Sequence, residues 1–153
     1  MKTEHDMATI RKVVAETEQY QNDPEKFVRL FTSNVHLINV VGKRVEGRDE
    51  LYGMMKKAVQ TSLSEINTKN ELLRIDFLKP DVALAKCIKH IFVTRNGQPI
   101  EKAKAALTFV LIKNDKRWMI SSAQNTLMNE KAIQTIESNN IKSSEKHIKV
   151  VTD

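Results

Sequence analysis

Trp118-Met119-Ile120-Ser121-Ser122-Ala123-Gln124-Asn125-Thr126 begins as an apolar strand and ends in two adjacent carboxamides. A buried amide left without hydrogen-bond partners costs about 1–3 kcal/mol, so amides at the end of an apolar strand either fasten the structure or receive a ligand. Strand alternation puts Gln124 on the face of Trp118, Ile120 and Ser122, and Asn125 with Met119, Ser121 and Ala123.

Upstream, the chain has period-two patterning over a long stretch. Asn70 to Leu78 alternates, with Leu73, Ile75 and Phe77 on one face and Arg74 and Asp76 on the other. Lys79-Pro80-Asp81 is a turn into Val82–Thr94, and Arg95-Asn96-Gly97-Gln98-Pro99 carries the Asn-Gly pair of a tight hairpin. Ala103–Lys113 and Trp118–Met128 are joined by a turn at Asn114-Asp115-Lys116. Four consecutive strands joined by short turns predict an antiparallel meander.

The first third is helical. Met7, Ile10, Val13, Val14, Thr17, Tyr20 and Gln21 recur at three- and four-residue spacing, an apolar stripe that turns polar at its C-terminal end, where it is expected to approach a cavity. Asp23 is a suitable cap and Pro24 suits the first turn of a second helix, whose buried side is predicted to hold Phe27, Leu30 and Phe31. Val35–Val41 reads as a strand buried on both faces, Gly42–Gly47 as a turn, and Arg48 to about Leu63 as a third helix. The expected fold class is α+β, with a sheet curling around three N-terminal helices; βαβ units are missing, which argues against a doubly wound nucleotide-binding fold. Past Asn129 a short helical signal through Ala132, Ile133 and Ile136 gives way to a polar tail, in which Ile148, Val150 and Val151 are a candidate edge strand only where a partner supplies a sheet.

These motifs in order resemble the SnoaL-like, nuclear-transport-factor-2-like superfamily, most closely the SgcJ/EcaC group. The resemblance is carried by Asn22-Asp23-Pro24 with Phe27 and Phe31, Asn39-Val40-Val41-Gly42 with Gly47-Arg48, Phe77 to Leu84, and Trp118 with Gln124-Asn125-Thr126. Tyr20-Gln21 stands where family members commonly have a Trp-Asn-type pair. The resemblance implies a cystatin-like cone over residues 1–128, a strongly curved, mainly antiparallel sheet with a pocket on its concave side and a homodimer contact outside. Residues 129–153 are then a C-terminal extension. The implied function is a dimeric pocket protein binding an apolar or polyketide-like small molecule, with cofactor-free proton transfer of isomerase, cyclase or dehydratase type open to it. An association module with an incidental cavity is the alternative.

Composition narrows the partners. The net charge of +6 arises from 25 basic and 19 acidic residues, but the basic residues are scattered and aromatics are only 5% of the chain. A nucleic-acid surface would require a basic stripe with stacking platforms, so nucleic acid is not an expected partner. The first thirty residues have no continuous apolar run, and no membrane association and a cytoplasmic location are expected. Cys87, the single cysteine, reads as a small buried hydrophobe. Zinc-type spacings, nucleophile elbows and phosphate-cradling glycine loops are missing, so neither cofactor nor metal is expected.

Candidate site residues follow from polarity inside apolar elements. His90 in the second meander strand and Tyr20 at the end of the first helix are the candidate proton carriers; His90 alternatively bonds a neighbour, and Tyr20 alternatively is a boundary residue. Asn39, Gln124 and Asn125 are candidates to orient a ligand carbonyl, with Trp118, Phe27 and Phe31 supplying apolar wall. His36 and Asn39 face opposite sides of their strand, so at most one reaches the pocket. Asp76 alternates with Arg74 on the solvent side, which argues against a carboxylate base of steroid-isomerase type, and Arg48 is read as bracing a turn.

Overall fold

The computed structural model describes residues 2–61 and 65–152, with side chains from 3 to 61 and from 65 to 141. Three helices come first: α1 (Lys2–Gln19), α2 (Pro24–Val28) and, after two strands, α3 (Arg48–Val59). α3 ends at Val59 with Gln60 as its C-cap, short of the expected Leu63; positions 62 and 63 of that expectation lie outside the described residues. The strands are β1 (Phe31–Ile38), β2 (Arg44–Glu46), β3 (Ile66–Lys79), β4 (Val82–Arg95), β5 (Gln98–Asn114) and β6 (Arg117–Leu127), and α4 (Glu130–Thr152) closes the chain. They form one curved six-stranded sheet in the order β2-β1-β6-β5-β4-β3, antiparallel except where β1 runs parallel to β6.

Local chemistry explains most boundaries. Asp23 caps α2 by accepting from the Lys26 amide at 3.2 Å, with Pro24 beginning the helix. Asn96 and Gly97 both take positive φ, 53° and 73°, in the two-residue β4–β5 hairpin. The β5–β6 hairpin uses the same conformation at Asp115 and Lys116.

Several expectations are corrected. Phe31 and Leu30 do not belong to the second helix; α2 ends at Val28, and Phe31 opens β1. β1 stops at Ile38, because the Asn39 side-chain oxygen accepts from the amides of Val41 and Lys43 (3.0 and 2.9 Å) and folds the chain into a turn that leaves Val41 exposed. The supposed turn Gly42–Gly47 contains a short strand, β2, pairing with β1. The backbone of the tail is one continuous helix through Thr152 instead of a short helix followed by a polar tail.

β-bulges account for the curvature and for two errors of parity. In β3, Leu73 and Leu78 are extra residues opposite β4, and both are exposed; Leu72, not Leu73, joins Ile75 and Phe77 on the core side. In β6 the extra residue is Ser121, since Val110 pairs with Ser122 while Leu111 pairs with Ile120. That insertion reverses alternation, so Trp118 and Ile120 share the concave face with Ala123 and Asn125, and Gln124 turns outward.

The core fills the cone between α1 and the concave face. Ile10, Val13 and Val14 of α1 pack against Ala83, Ala85, Leu107, Phe109, Leu111 and Ile120. Small residues at 83 and 85 let the helix approach the sheet. Near the N-terminus of α1, buried Asp6 accepts from Trp118 Nε1 at 3.0 Å and Lys113 Nζ at 2.9 Å, tying the helix to β5 and β6. No described helix is long and apolar enough to cross a membrane.

Candidate functional site

At the opposite end of α1 the interior is not filled. A cavity of about 260 Å³ lies between the end of α1, α2, α3 and the concave sheet face. Its wall is apolar: Phe27 and Phe31, whose rings sit 5.0 Å apart, Leu37, Met55, Val59, Ile66, Leu107 and Phe109. Thr17, Gln21, Asn70, Lys89 and Asn125 converge on it as polar groups. The volume is close to the lower end of the roughly 300–1,000 Å³ of ordinary ligand sites, so the space suits a small molecule.

Gln21 and Glu18 close one side. The Gln21 amide substitutes for a missing strand at the β3 edge: its Oε1 accepts from the Thr68 amide at 2.8 Å, and its Nε2 donates to the Thr68 carbonyl at 3.0 Å. Glu18 continues the pattern by accepting from the Asn70 amide at 2.7 Å. The end of α1 is thereby fixed to an edge that would otherwise offer unpaired backbone groups.

Two residues of the cavity wall carry amide oxygens with no partner. Asn125 Nδ2 donates to the Ile38 carbonyl at 2.8 Å, which fixes the amide's orientation and leaves its buried Oδ1 unbonded. Asn70 Nδ2 donates to Thr17 Oγ1 at 2.9 Å; the Thr17 hydroxyl donates to the Val14 carbonyl, so it serves Asn70 only as acceptor. Asn70 Oδ1 is therefore also unbonded. Unsatisfied buried acceptors are uncommon, and both of these belong to residues that line the cavity.

Lys89 is the third polar feature and the one sequence reasoning missed. It follows Ala83, Ala85 and Cys87 on the concave face of β4, directly opposite Asn70 and one row from Asn125 in the sheet register. Burial pushes its ammonium down to about 8, with the neighbouring Cys87 acting weakly the other way. Cys87 itself is buried, and burial pushes its thiol up to about 12, so it is unreactive near neutrality. Among the described residues no carboxylate forms an ion pair with Lys89, whereas Lys113, on the same face of the sheet, is paired with Asp6. Parity with small core residues was the available signal for Lys89.

The predicted site residues divide accordingly. Phe27, Phe31 and Asn125 line the cavity. Trp118 is buried in the closed end against Phe77 and Asp6. Gln124 is on the outer face beside Thr108, Ser122 and Thr126 because of the Ser121 bulge. Asn39 is spent on its own turn. Tyr20 packs against the core edge under Lys26 and does not line the cavity, a place taken by Thr17 and Gln21.

His90 faces outward, one residue away in parity from Lys89. Its Nδ1 lies 2.7 Å from Glu101 and its Nε2 2.9 Å from Glu71, a cross-strand bridge over β3, β4 and β5. Those carboxylates, Glu101 foremost, raise its pKa. His36 is also outward, near Arg44 at 3.2 Å. Asp76 is where expected, bound by Arg74 and Lys86, which hold its carboxyl below the usual range. Arg48 grips the Phe31 carbonyl with two nitrogens and braces the start of β1 against α3.

Comparison with known proteins agrees with this architecture. A cystatin-like-fold domain of unknown function from Nostoc punctiforme is 19% identical with a TM-score of 0.75, covering 97% of this chain and 95% of that one. A scytalone dehydratase-like protein from Novosphingobium aromaticivorans is 15% identical with a TM-score of 0.72, covering 83% and 87%. An uncharacterised cystatin-like-fold protein from Caulobacter vibrioides is 23% identical with a TM-score of 0.71, covering 84% and 94%. No curated protein matches the sequence. Residues 13–129, well over half the chain, match the SnoaL-like domain, and the chain belongs to that family.

Proposed function

We propose that the protein binds a small, largely apolar molecule bearing a carbonyl or hydroxyl group, with Lys89 as the proton carrier of a cofactor-free reaction. The observation carrying this reading is the juxtaposition, around one apolar cavity, of a lysine that has no paired carboxylate among the described residues and two amides whose oxygens are unbonded. An amine titrating near 8 exchanges a proton readily around neutrality, which an ordinary lysine does not. The cavity volume limits a polyketide-like ligand to a small, compact one. The likeness to a scytalone dehydratase-like structure supports such chemistry as one the fold can host. On the motifs quoted above, we place the chain nearest the SgcJ/EcaC group.

The test is ligand-induced stabilisation. A panel of small aromatic aldehydes, ketones and alcohols is screened by thermal denaturation against the wild type and Ala58→Phe, which fills the cavity from α3. A ligand at a hundred times its Kd adds about 2.7 kcal/mol, a shift of several degrees for a chain of this size. The expected result is a shift with at least one probe that Ala58→Phe abolishes. Binding unaffected by Ala58→Phe would remove the cavity from the reading.

The same reading includes a homodimer through the outer sheet face. Leu84, Ile88 and Phe92 of β4, Val110 and Ile112 of β5 and Met119 of β6 are half-buried there, apolar residues interleaved with polar ones such as Lys86, His90 and Thr108, and a second copy would cover them. Light scattering at micromolar concentration tests it, and a monomeric mass overturns it.

A further inference from the structure

We propose that Lys89 binds carbonyl compounds covalently, its ε-amine condensing with an aldehyde or ketone seated in the cavity to form a Schiff base. The inference rests on the pocket reading above and names the bond that pocket makes.

Four observations carry it. Lys89 stands well inside β4, where strand parity with Ala83, Ala85 and Cys87 holds its side chain on the concave face. It lines the cavity with no carboxylate paired to it among the described residues, while Lys113 on the same face is paired with Asp6, and Lys86 and Lys104 pair with Asp76 and Glu130. The walls beside it are apolar, the environment in which an amine is desolvated and nucleophilic. Asn70, directly across the β3–β4 ladder, and Asn125 both line the cavity and each carries a buried, unbonded Oδ1.

The chemistry balances without any further reagent. The neutral Nζ attacks the carbonyl carbon and forms the C–N bond; the π pair moves to oxygen, which takes up the proton lost from nitrogen and gives a carbinolamine. Its hydroxyl is the donor that an amide oxygen of Asn70 or Asn125 accepts. The hydroxyl then leaves as water with the second nitrogen proton, and the product is an imine. One water is released and nothing is oxidised or reduced.

The experiment is reductive trapping on the full chain: benzaldehyde with sodium cyanoborohydride at pH 7.5, followed by intact mass and peptide mapping. At that pH an amine at about 8 is about one-quarter neutral, against about 0.1% for one at 10.5. Lower basicity offsets part of this advantage, and labelling about tenfold faster than at exposed Lys86 is expected. One benzyl group per chain on the Lys89 peptide supports the proposal, as does its loss in Lys89→Arg, which keeps the charge but forms no imine. Labelling spread evenly over surface lysines overturns it, as does a wild type protected by benzoate but never selectively labelled, since that is ion pairing alone. Benzyl alcohol separates the two readings: if it stabilises the wild type but not Ala58→Phe while Lys89 stays unlabelled, the pocket stands and the imine falls. If neither probe acts at the cavity, both fall.

Discussion

Replacing Lys89 by Met should make the protein more stable, and by an amount that depends on pH in a specified direction. Burial lowers the folded-state pKa to about 8 from the ordinary 10.5, so folding disfavours the protonated amine. The full displacement corresponds to about 3 kcal/mol, reduced to about 2 kcal/mol because Lys89 retains some solvent contact. The sign follows from linkage. Between about 8 and 10.5 the unfolded chain binds a proton at this site that the folded chain does not, so wild-type stability gains from this residue as pH rises through that window. The penalty is complete below about 8 and gone above 10.5. Met has a similar length and no charge, so Lys89→Met should raise ΔG of unfolding by about 2 kcal/mol at pH 6.5. The gain should shrink steadily toward pH 10. Urea denaturation of both proteins at pH 6.5, 8 and 9.5 measures it. Equal stabilities at pH 6.5, or a less stable variant, would refute the reasoning, because the ammonium would then have a compensating partner or full hydration. The cost carried at neutral pH is the physical signature expected of a side chain kept for its chemistry and not for the fold.

Four other outcomes follow from the structure. Gln21→Ala strands the Thr68 amide and carbonyl at the β3 edge and should cost about 1–3 kcal/mol, with faster hydrogen exchange at Thr68 as its local sign. His90 is held by Glu101 and Glu71 with a raised pKa, so its contribution is complete below the unfolded value of 6.5 and lost as pH rises through the folded one; the stability gap between wild type and His90→Gln should narrow across that rise in denaturant titrations. Leu73→Lys, at an exposed bulge, should change stability by about 0.5 kcal/mol or less, whereas Leu72→Lys, against the core, should cost several; thermal melts of the pair check the bulge assignment. Lys116→Gly relieves a left-handed conformation at φ 67° and should stabilise by about 1 kcal/mol in the same assay.

Elements with strong local chemistry were legible in the sequence. Asn96-Gly97 dictated a tight hairpin and Asp23-Pro24 a helix start, because in each case two residues decide the backbone. The meander and the polar end of α1 at a cavity followed from periodicity. What failed was parity over distance. A bulge adds one residue and exchanges the faces beyond it, and nothing in Ser121-Ser122 distinguishes a bulge from regular strand; hence Trp118 was grouped with Gln124 although it sides with Asn125. Leu73 misled in the same way. Asn39 failed for a different reason, since an Asx turn and a ligand amide use the same side-chain oxygen.

The site was hidden by residue type. A search for proton carriers turns to histidine, and β4 offers Lys89 and His90 side by side, one for each face of the sheet. Outward, the imidazole meets two carboxylates, which raise its pKa and give it a structural role as a strap across three strands. Inward, the lysine enters a largely apolar cavity, and among the described residues no carboxylate is paired with it. The same physics acts with opposite results: carboxylates move the histidine away from neutrality, and burial moves the lysine toward it. Exchanging the two residues would therefore not exchange their functions. An imidazole at position 89 would lie near the same amides but could not form an imine, and a lysine at position 90 would be neutralised by Glu71 and Glu101. The chemistry at this site belongs to the pairing of side chain and sheet face, which a one-residue shift in register would destroy.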